Sequence, residues 1–436
     1  MKIFTAFRLF WFGFLLMGKS CFLGAQPEPI LINLSTVLEL GGANNLNIIA
    51  YQRRHELTIA ELIKTKEWWL PDLYAGTTLH QLWGAAMNTD GEIFTDLDRQ
   101  NFFGGIGLNL SWDFGSKPYQ IKSGYFKMEA ARHRVQSERN KALLEIITAY
   151  YDFLTEQLKF QAYDQLIREA DTLARQFDLQ VEAGLQYQSV ALLAQSNYRH
   201  FQIEKLNAQL ERSNKSAALI RLLNLDPSVE IIPVDSVLAP LELVPDPSLE
   251  PDYRTVYSIR PEIRDFELRL EESKTDKKMV TTGLLLPEFR ISSYYSYFGE
   301  VFSPVYATSA INASLWWRIP LGRLLSGGDL KRANSVIAIK EVELEQMKST
   351  IHEEIVQARS QSRIAHEQME IAEEASRLAY QALRQSLERQ QLGTVLPLEI
   401  MQAQEMYIKT SLDHLRAVAD YNKAQYRWWV GLGNNL

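Results

Sequence analysis

Hydrophobic and polar positions alternate with a period of two in residues 103–114 and again in residues 309–319. In the first segment the apolar positions are Ile106, Leu108, Leu110, Trp112 and Phe114, and Gly105, Gly107, Asn109, Ser111 and Asp113 lie between them. In the second, Ile311, Ala313, Leu315, Trp317 and Ile319 alternate with Ala310, Asn312, Ser314, Trp316 and Arg318. This pattern predicts β-strands with one apolar face and the length of membrane strands.

Each alternating segment has a weaker partner upstream, at residues 73–83 and 289–298. Each pair therefore predicts a β-hairpin, and the polar residues 84–101 are expected to form a larger exposed loop. A soluble sandwich hairpin is the alternative. Membrane strands are favoured because tryptophan concentrates here, as it does at membrane interfaces. The tryptophans in or beside the segments are Trp68, Trp69, Trp83, Trp112, Trp316 and Trp317.

A period between three and four residues follows each strand pair. Residues 121–181 contain no proline, and residues 329–391 contain neither proline nor glycine. Each segment predicts a helix of about 90 Å, at 1.5 Å per residue. The chain then turns near Gly184 and Gly393 and returns as a second helix. The return helix of residues 398–426 has a heptad-like seam that includes Met401, Glu405 and Asn422, so we expect two long antiparallel coiled-coil hairpins. Shorter helices are predicted at residues 46–68 and 257–282, before the strands.

The chain is two copies of one unit. Gly184 corresponds to Gly393 and Gln195 to Gln404 at an offset of 209, and Leu70 corresponds to Leu286 at an offset of 216. The order of elements is the same in both copies. We therefore divide the chain into a first repeat at residues 26–225, a proline-rich extended connector at 226–256 and a second repeat at 257–436.

Residues 1–25 have the pattern of a secretory signal peptide, with Lys2 and Arg8 before a short apolar core and Ala25 at the expected cleavage site. Its removal takes three positive charges with it, so the formal net charge changes from −7 to −10. It also removes Cys21, the only cysteine. Lipidation of Cys21 is the alternative, although Gly18-Lys19-Ser20 is a poor lipidation signal.

Composition narrows the class of function. An acidic balance argues against nucleic acid as the main partner, and one cysteine excludes a disulfide scaffold or a cysteine-rich zinc site. The seven histidines are scattered and there is no glycine-rich phosphate loop. His352-Glu353-Glu354 is the nearest approach to a catalytic cluster, and it lies in a charged segment typical of a solvated helix face. We therefore expect neither an enzyme nor a cofactor.

These features together resemble the TolC-like outer-membrane efflux family. The resemblance rests on the signal peptide, the duplication, the two strands and long helical hairpin in each copy, the turn segments after Gly184 and Gly393, and Arg260-Pro261-Glu262. It implies a mixed, mostly α fold in which a homotrimer forms one 12-stranded β-barrel on an α-helical tunnel. Four strands per chain cannot close a barrel alone, whereas twelve can.

The resemblance also implies a function. The protein would be the passive outer-membrane exit duct of a tripartite efflux or type I secretion system in a Gram-negative bacterium, with its tunnel in the periplasm. Its partners would be a periplasmic adaptor, an inner-membrane pump of the RND or ABC type and outer-membrane lipid. The alternatives are a structural periplasmic coiled-coil protein without a pore and a lipoprotein-type duct for metal ions.

Site residues follow from the same resemblance, and no metal site is expected. An acidic periplasmic gate would be carried by Glu399 and by the position of Gln402, where the family's second acid is missing. Gln390, Ser189, Val190 and Val395 occupy the positions of the family's closing network, so its charge pair cannot form. The adaptor-docking tips would be Gly184, Leu185, Gly393 and Thr394. The membrane girdle would be Trp83, Trp112, Trp316 and Trp317.

Overall fold

The computed structural model describes residues 29–88, 90–244, 250–300, 304–318, 321–322, 327–392 and 396–436. The expected signal peptide at residues 1–25, with Cys21, lies outside the described residues. So do Gly393 and Thr394, which the sequence assigned to the second tip, and Val395 of the closing network.

The first repeat contains two long helices after a β-hairpin. Its elements are β1 (Ile30–Ile32), α1 (Leu34–Asn44), α2 (Leu46–Lys66), a 3-10 turn (Glu67–Trp69), β2 (Asp72–Met87), β3 (Ile93–Asp113), α3 (Lys117–Glu182) and α4 (Gln188–Leu222). The 66 residues of α3 correspond to about 100 Å.

The second repeat has the same order of elements. It contains β4 (Ile231–Pro233) in the connector, then α5 (Tyr253–Ile259), α6 (Pro261–Met279), a 3-10 turn (Thr282–Leu285), β5 (Glu288–Gly299), β6 (Tyr306–Trp316), α7 (Gly328–Gln391) and α8 (Pro397–Gly431). Helix α6, where one helix was expected across residues 257–282, begins after a break at Arg260, because Pro261 cannot donate a backbone hydrogen bond.

The four long strands form one antiparallel sheet in the order β2-β3-β5-β6. The expectation of a loop at residues 84–101 was wrong, because β2 continues to Met87 and β3 begins at Ile93. Five residues of the sequence, 88–92, separate the two strands. Strand β3 pairs with β5 from Phe102 onward, so the rest of the β2–β3 hairpin projects beyond β5. Nine residues of β3 precede Phe102, a projection of about 30 Å.

Apolar clusters join the helices along their length. One cluster lies where α3 meets α1 and the C-terminal part of α4, around Ile146, Tyr150 and Leu219. Two more lie further from the sheet and join the hairpin of α3 and α4 to α8, through Ile408 and Leu412 and then through Ile400 and Met401. The hairpin α3–α4 and the helix pair α7 and α8 therefore pack side by side, and the start of α8 lies at the same end as the turn between α3 and α4.

The C-terminus of each return helix meets the N-terminus of a shorter helix. In the first repeat, Asn45 caps α2 by accepting from the amides of Asn47 and Ile48, and its Nδ2 donates to the carbonyl of Leu222 at 2.9 Å. In the second, Arg260 precedes α6 and donates to the carbonyls of Val430 and Gly431 at 3.0 and 3.4 Å. Helix ends leave unpaired backbone groups, and these two side chains satisfy some of them.

The connector is held on α8 by two buried amide side chains. Asn422 accepts from the amide of Leu241 and donates to the carbonyl of Ala239, at 2.8 and 2.9 Å. Gln425 accepts from the amide of Val244 at 3.1 Å. The connector was expected to be extended, and its β4 pairs in parallel with β1.

The seam predicted for α8 departs from the structure at Glu405, which is exposed, whereas the adjacent Gln404 is buried. None of the helices in the described ranges combines the length and the hydrophobicity needed to cross a membrane.

Candidate functional site

The sheet has one apolar face, defined by the even-numbered residues of β3. Rows of paired residues cross the strands on this face, from Trp112, Phe289 and Leu315 at the helical end to Gly104, Tyr297 and Ala307 further out. Between them lie Leu110, Ile291, Ala313, Leu108, Leu73, Ser293, Ile311, Ile106, Ala75, Tyr295 and Ser309. From Trp112 to Phe102 is ten residues, which is about 33 Å along the strand or about 25 Å of height at a 40° tilt.

The opposite face is polar near the helices. Glu288 accepts from Ser111 at 2.6 Å and forms an ion pair with Arg290 at 2.7 Å. Further along the strands a row of Asp72, Asn109, Ser292 and Asn312 crosses the whole sheet. The alternation read from residues 103–114 therefore separates an apolar face from a polar one, as the sequence predicted.

The four tryptophans proposed for the girdle lie at different levels and on different faces. Trp112 is on the apolar face, with its ring 5.7 Å from that of Phe289. Trp316 pairs with Glu288 and donates from Nε1 to Ser314, so it lies on the polar face. Trp83 pairs with Asp98 in the projecting part of the β2–β3 hairpin. Trp317, which is 57% exposed, directly follows β6.

Aromatic side chains do occur at both ends of the apolar face. Trp112 and Phe289 mark the helical end, and Tyr295 and Tyr297 mark the other end, with their hydroxyls 3.3 Å apart. Sequence reasoning counted tryptophans and missed these tyrosines. The signal that could have found them is the period of two in residues 289–298, which places both tyrosines on the same side as Phe289.

The turn of the first hairpin is held by Gly184. The amide of Leu185 donates to the carbonyl of Gln180 at 2.8 Å, and that of Gly184 donates to Val181 at 2.9 Å. This pair of bonds is a Schellman motif, which needs a left-handed residue at the position of Gly184, whose φ is +71°. Leu185 is 74% exposed, and Tyr187, which sequence reasoning did not select, is 83% exposed.

Glu399 lies in the first turn of α8 and is paired with Arg389 from the last turn of α7. Their closest atoms, Arg389 Nη1 and Glu399 Oε2, are 3.4 Å apart, and about half of each side chain is exposed. The pair crosses the second hairpin close to its turn. Sequence reasoning considered Gln390 and missed Arg389, although an acid and a base ten residues apart across a turn could have indicated the pair.

Gln402 is exposed on α8, while the adjacent Met401 is buried. Ile400 and Met401 pack with Phe177 of α3 and Ala191 of α4. Seven residues separate Phe177 from Gly184, a distance of about 10 Å along a helix. Glu399 and Gln402 therefore lie near the level of the first tip, on a part of α8 that does not face the first hairpin.

The nearest approach to a catalytic cluster is accounted for by packing. Glu354 forms an ion pair with Arg260 at 2.8 Å, and the ring of His352 lies 4.6 Å from that of Tyr253. Glu353 accepts from Gln357 on the next turn. Across the described part of the chain, no group of three or more His, Cys, Asp or Glu residues is arranged to hold a metal ion.

Comparison with known proteins confirms the resemblance stated from the sequence. The sequence model of the outer membrane efflux protein family matches residues 37–225. No curated protein matches the chain at a significant level.

Solved structures share the fold over 92% of this chain. They include the outer-membrane channel OprN (18% identity, 90% of that chain, TM-score 0.76). Two others are the CmeC outer membrane channel of Campylobacter jejuni (14% identity, 85% of that chain, TM-score 0.76) and the outer membrane protein VceC of Vibrio cholerae (14%, 96%, 0.73). The mostly helical fold with one four-stranded antiparallel sheet is therefore the fold of these channels.

Proposed function

We propose, from the match of residues 37–225 to the sequence model of the outer membrane efflux protein family, that this protein is the exit duct of a tripartite efflux or secretion system. It would lie in the outer membrane of a Gram-negative bacterium, with its helices in the periplasm. The duct carries out no reaction. Substrate is driven by an inner-membrane pump and passes through the duct passively.

The observation that carries this proposal is the one-sided sheet at the end of helices about 100 Å long. Its apolar face, from Trp112 to Phe102, has about the height of the apolar band of a membrane barrel. Its polar face is suited to a water-filled lumen. A single chain has this arrangement only in part, since β2 and β6 are the two edges of the sheet.

Trimer formation removes those edges. An exposed strand edge carries backbone N–H and C=O groups without hydrogen-bond partners, and each such group costs several kcal/mol in lipid. Three chains provide twelve strands, so that β6 of one chain pairs with β2 of the next in a closed barrel. The hairpins of the three chains then surround a common axis and form the tunnel. The fold of the channels named above supports this arrangement for the chain as a whole.

The hairpin ends supply the contacts with the rest of the system. We propose that Gly184, Leu185, Gly393 and Thr394 dock the periplasmic adaptor, which links the duct to a pump of the RND or ABC type. The high exposure of Leu185 and Tyr187 supports this, because apolar side chains at the end of a hairpin gain from being covered by a partner.

The gate is proposed at Glu399 and Gln402. Three-fold symmetry places three Glu399 carboxylates around the axis, and Gln402 adds a polar but uncharged ring. Arg389 lies beside each carboxylate, so the ring attracts cations less strongly than three unpaired acids would.

The experiment that tests this function uses the purified full-length protein. We expect an oligomer on a gel that heating converts to monomer, and single-channel conductance in a planar bilayer. A stable monomer without conductance would instead favour a structural coiled-coil protein. Palmitate labelling at Cys21 tests whether the duct is a lipoprotein.

A further inference from the structure

The polar face of the sheet becomes aromatic at the end far from the helices. Phe103 of β3, Phe298 of β5 and Tyr306 of β6 are directly paired and form one row across three strands. Thr78 of β2 completes the row. These residues are on the face that carries Asp72, Asn109 and Arg290, because they differ from those positions by an even number of residues.

A second aromatic position lies two rows nearer the helices. Tyr294 is on the same face as Phe298, and its ring is 5.7 Å from that of Phe103 in an edge-on arrangement. The rings of Phe298 and Tyr306 are 6.4 Å apart. We call Phe103, Tyr294, Phe298 and Tyr306 the aromatic collar.

Small residues between the two aromatic rows allow these contacts. The intervening row consists of Gly76, Gly105, Ser296 and Thr308. A Cβ atom at Gly105 would lie 2.6 Å from Ser296 Cβ, so no larger residue fits there without a shift. Ser296 is fully buried and its hydroxyl has no hydrogen-bond partner among the residues that the structure describes, as expected if aromatic rings cover this row.

The collar is accessible from the polar face. Tyr306 is 64% exposed and Phe298 48% exposed. Large aromatic side chains are unusual on the water-filled side of a membrane strand, where polar residues are the rule. Their exposure therefore needs a functional reason, because the packing of the sheet alone does not require them.

The chemistry of the rings and the nearby charges indicate what the collar binds. The charges nearest to the collar on this face are the ion pair of Arg99 and Glu300, while Asp72, Asp113 and Glu288 lie nearer the helices with Arg290 and, just after β6, Arg318. These charges do not oppose a cation, and aromatic rings attract cations through their faces. Aromatic rings also stack on other aromatic rings. Both effects favour a ligand that is aromatic and positively charged.

We propose that the aromatic collar is a binding site for aromatic organic cations in the lumen of the duct, and that this class of compound is among its substrates. The site rests on the proposed exit duct, in which three copies of the collar place twelve rings around the lumen. Its contacts are weak individually, so the compound is retained briefly and still leaves. This is the balance that conduction requires.

The test is block of single-channel current by tetraphenylphosphonium, with tetrabutylammonium as an aliphatic cation of similar size. We expect the wild-type channel to be blocked at lower concentrations of tetraphenylphosphonium than of tetrabutylammonium. The double variant Tyr294→Ser, Phe298→Ser should raise the half-blocking concentration of tetraphenylphosphonium about fivefold, from the loss of two cation–π contacts. Serine is chosen because Ser292 and Ser296 already occupy this face.

The matched control is Tyr295→Ser with Tyr297→Ser, which removes two rings from the same strand on the opposite face. This control should leave the block unchanged. Tyr306→Ser provides a second test, since that side chain is mostly exposed and its loss should not impair folding. Equal block by the two cations, or an unchanged block in the collar variants, would overturn the collar while conductance still supports the duct. A wild-type protein with no conductance would overturn the exit duct itself, and the collar with it.

Discussion

Asn45 and Arg260 make equivalent contacts in the two halves of the chain. Each precedes the short helix that leads to the strands, and each side chain donates to the terminal carbonyl groups of a return helix, α4 for Asn45 and α8 for Arg260. They are 215 residues apart, close to the offset of 216 between the Leu-Pro steps. We call each of these contacts between a return helix and a shorter helix a joint. A neutral amide forms the first joint and a charged guanidinium forms the second.

The two joints should differ in their contribution to stability. Arg260 is 5% exposed and lies between the carboxylates of Glu262 and Glu354, at 3.0 and 2.8 Å. Arg260→Gln leaves these charges and the helix-end carbonyls without their partner, which typically costs about 3–5 kcal/mol. Asn45→Ala loses a neutral cap and should cost about 1 kcal/mol. Thermal unfolding of the purified protein measures both.

Arg264→Gln is the control for the Arg260 variant, because Arg264 is exposed and forms its ion pair with Glu267 on the same helix. We expect a change below about 1 kcal/mol. Equal losses at Arg260 and Arg264 would show that the joint is not an important source of stability.

Replacing Glu272 on α6 is expected to stabilise the protein in a pH-dependent way. Burial raises the pKa of this carboxyl, and Asp276 raises it further, while Lys127, Arg269 and Lys340 act in the opposite direction. A carboxyl whose pKa is higher in the folded than in the unfolded protein contributes its full stabilisation at pH values below the unfolded pKa of about 4.3. This contribution is lost as the pH rises through the folded pKa. Glu272→Gln should therefore increase the melting temperature at pH 7 and leave it nearly unchanged at pH 4.

Glu271→Gln separates this effect from a general change of charge. Glu271 is exposed and pairs with Lys274 at 2.8 Å, so its replacement should lower the melting temperature slightly or not at all. A loss of stability in Glu272→Gln at pH 7 would mean that its basic neighbours outweigh the cost of burial.

Leu110 and Asn109 test the assignment of the two faces of the sheet. They are adjacent on β3, with Leu110 on the apolar face and Asn109 on the polar face. Leu110→Arg should cost about 2–4 kcal/mol near the middle of the membrane and reduce the amount of assembled trimer. Asn109→Arg should be tolerated. Similar amounts of trimer from the two variants would contradict the strand register.

Leu185 tests the docking of the adaptor at the first tip. Leu185→Trp should abolish export while the amount of trimer stays normal, because the side chain is exposed and supports no packing. Gly184→Ala should instead disturb the turn itself, since its φ of +71° is unfavourable for a residue with a Cβ. Export that persists with Trp at position 185 would remove the tip from the docking surface.

Glu399 and Arg389 should have opposite effects on selectivity. Glu399→Gln removes the only acid of the proposed gate and should reduce cation selectivity and block by multivalent cations. Arg389→Gln leaves the carboxylate without this partner and should increase both. Both effects should weaken at high salt, because the pair is half-exposed. Planar-bilayer recordings provide the measurement, and unaltered selectivity in both variants would place the gate elsewhere.

The long periodic elements could be predicted from the sequence because many residues contribute to each pattern. The helix expected at residues 121–181 is α3 (Lys117–Glu182), and the strand expected at 309–319 lies within three residues of β6 (Tyr306–Trp316). Residues 84–101 were misjudged because their polar side chains suggested a loop. A hairpin that projects into water needs no apolar face, so its strands lack the period that would reveal them.

The joints and the connector could not be predicted, because they depend on partners far apart in the sequence. Asn422 looked like a polar interruption of an apolar seam, yet it binds the backbone of Ala239 and Leu241. Arg389 was overlooked for the same reason, since its role depends on the way the chain turns between α7 and α8. Trp316 shows a different limit of sequence-based prediction. The alternation of residues 309–319 placed it among the polar positions, and only its residue type suggested a contact with lipid.

The pairing of β3 with β5 has a consequence for the order in which the protein folds. Asn109 pairs with Ser292, so this contact closes a loop of more than 180 residues that contains the whole α3–α4 hairpin. Contacts so distant in sequence form slowly, whereas a helical hairpin forms from local contacts. The β2–β3 and β5–β6 hairpins should therefore wait as separate pieces until the first helical hairpin has folded and brought them together. A substitution that disrupts α3 should then be detected first as a failure of the strands to insert into the membrane.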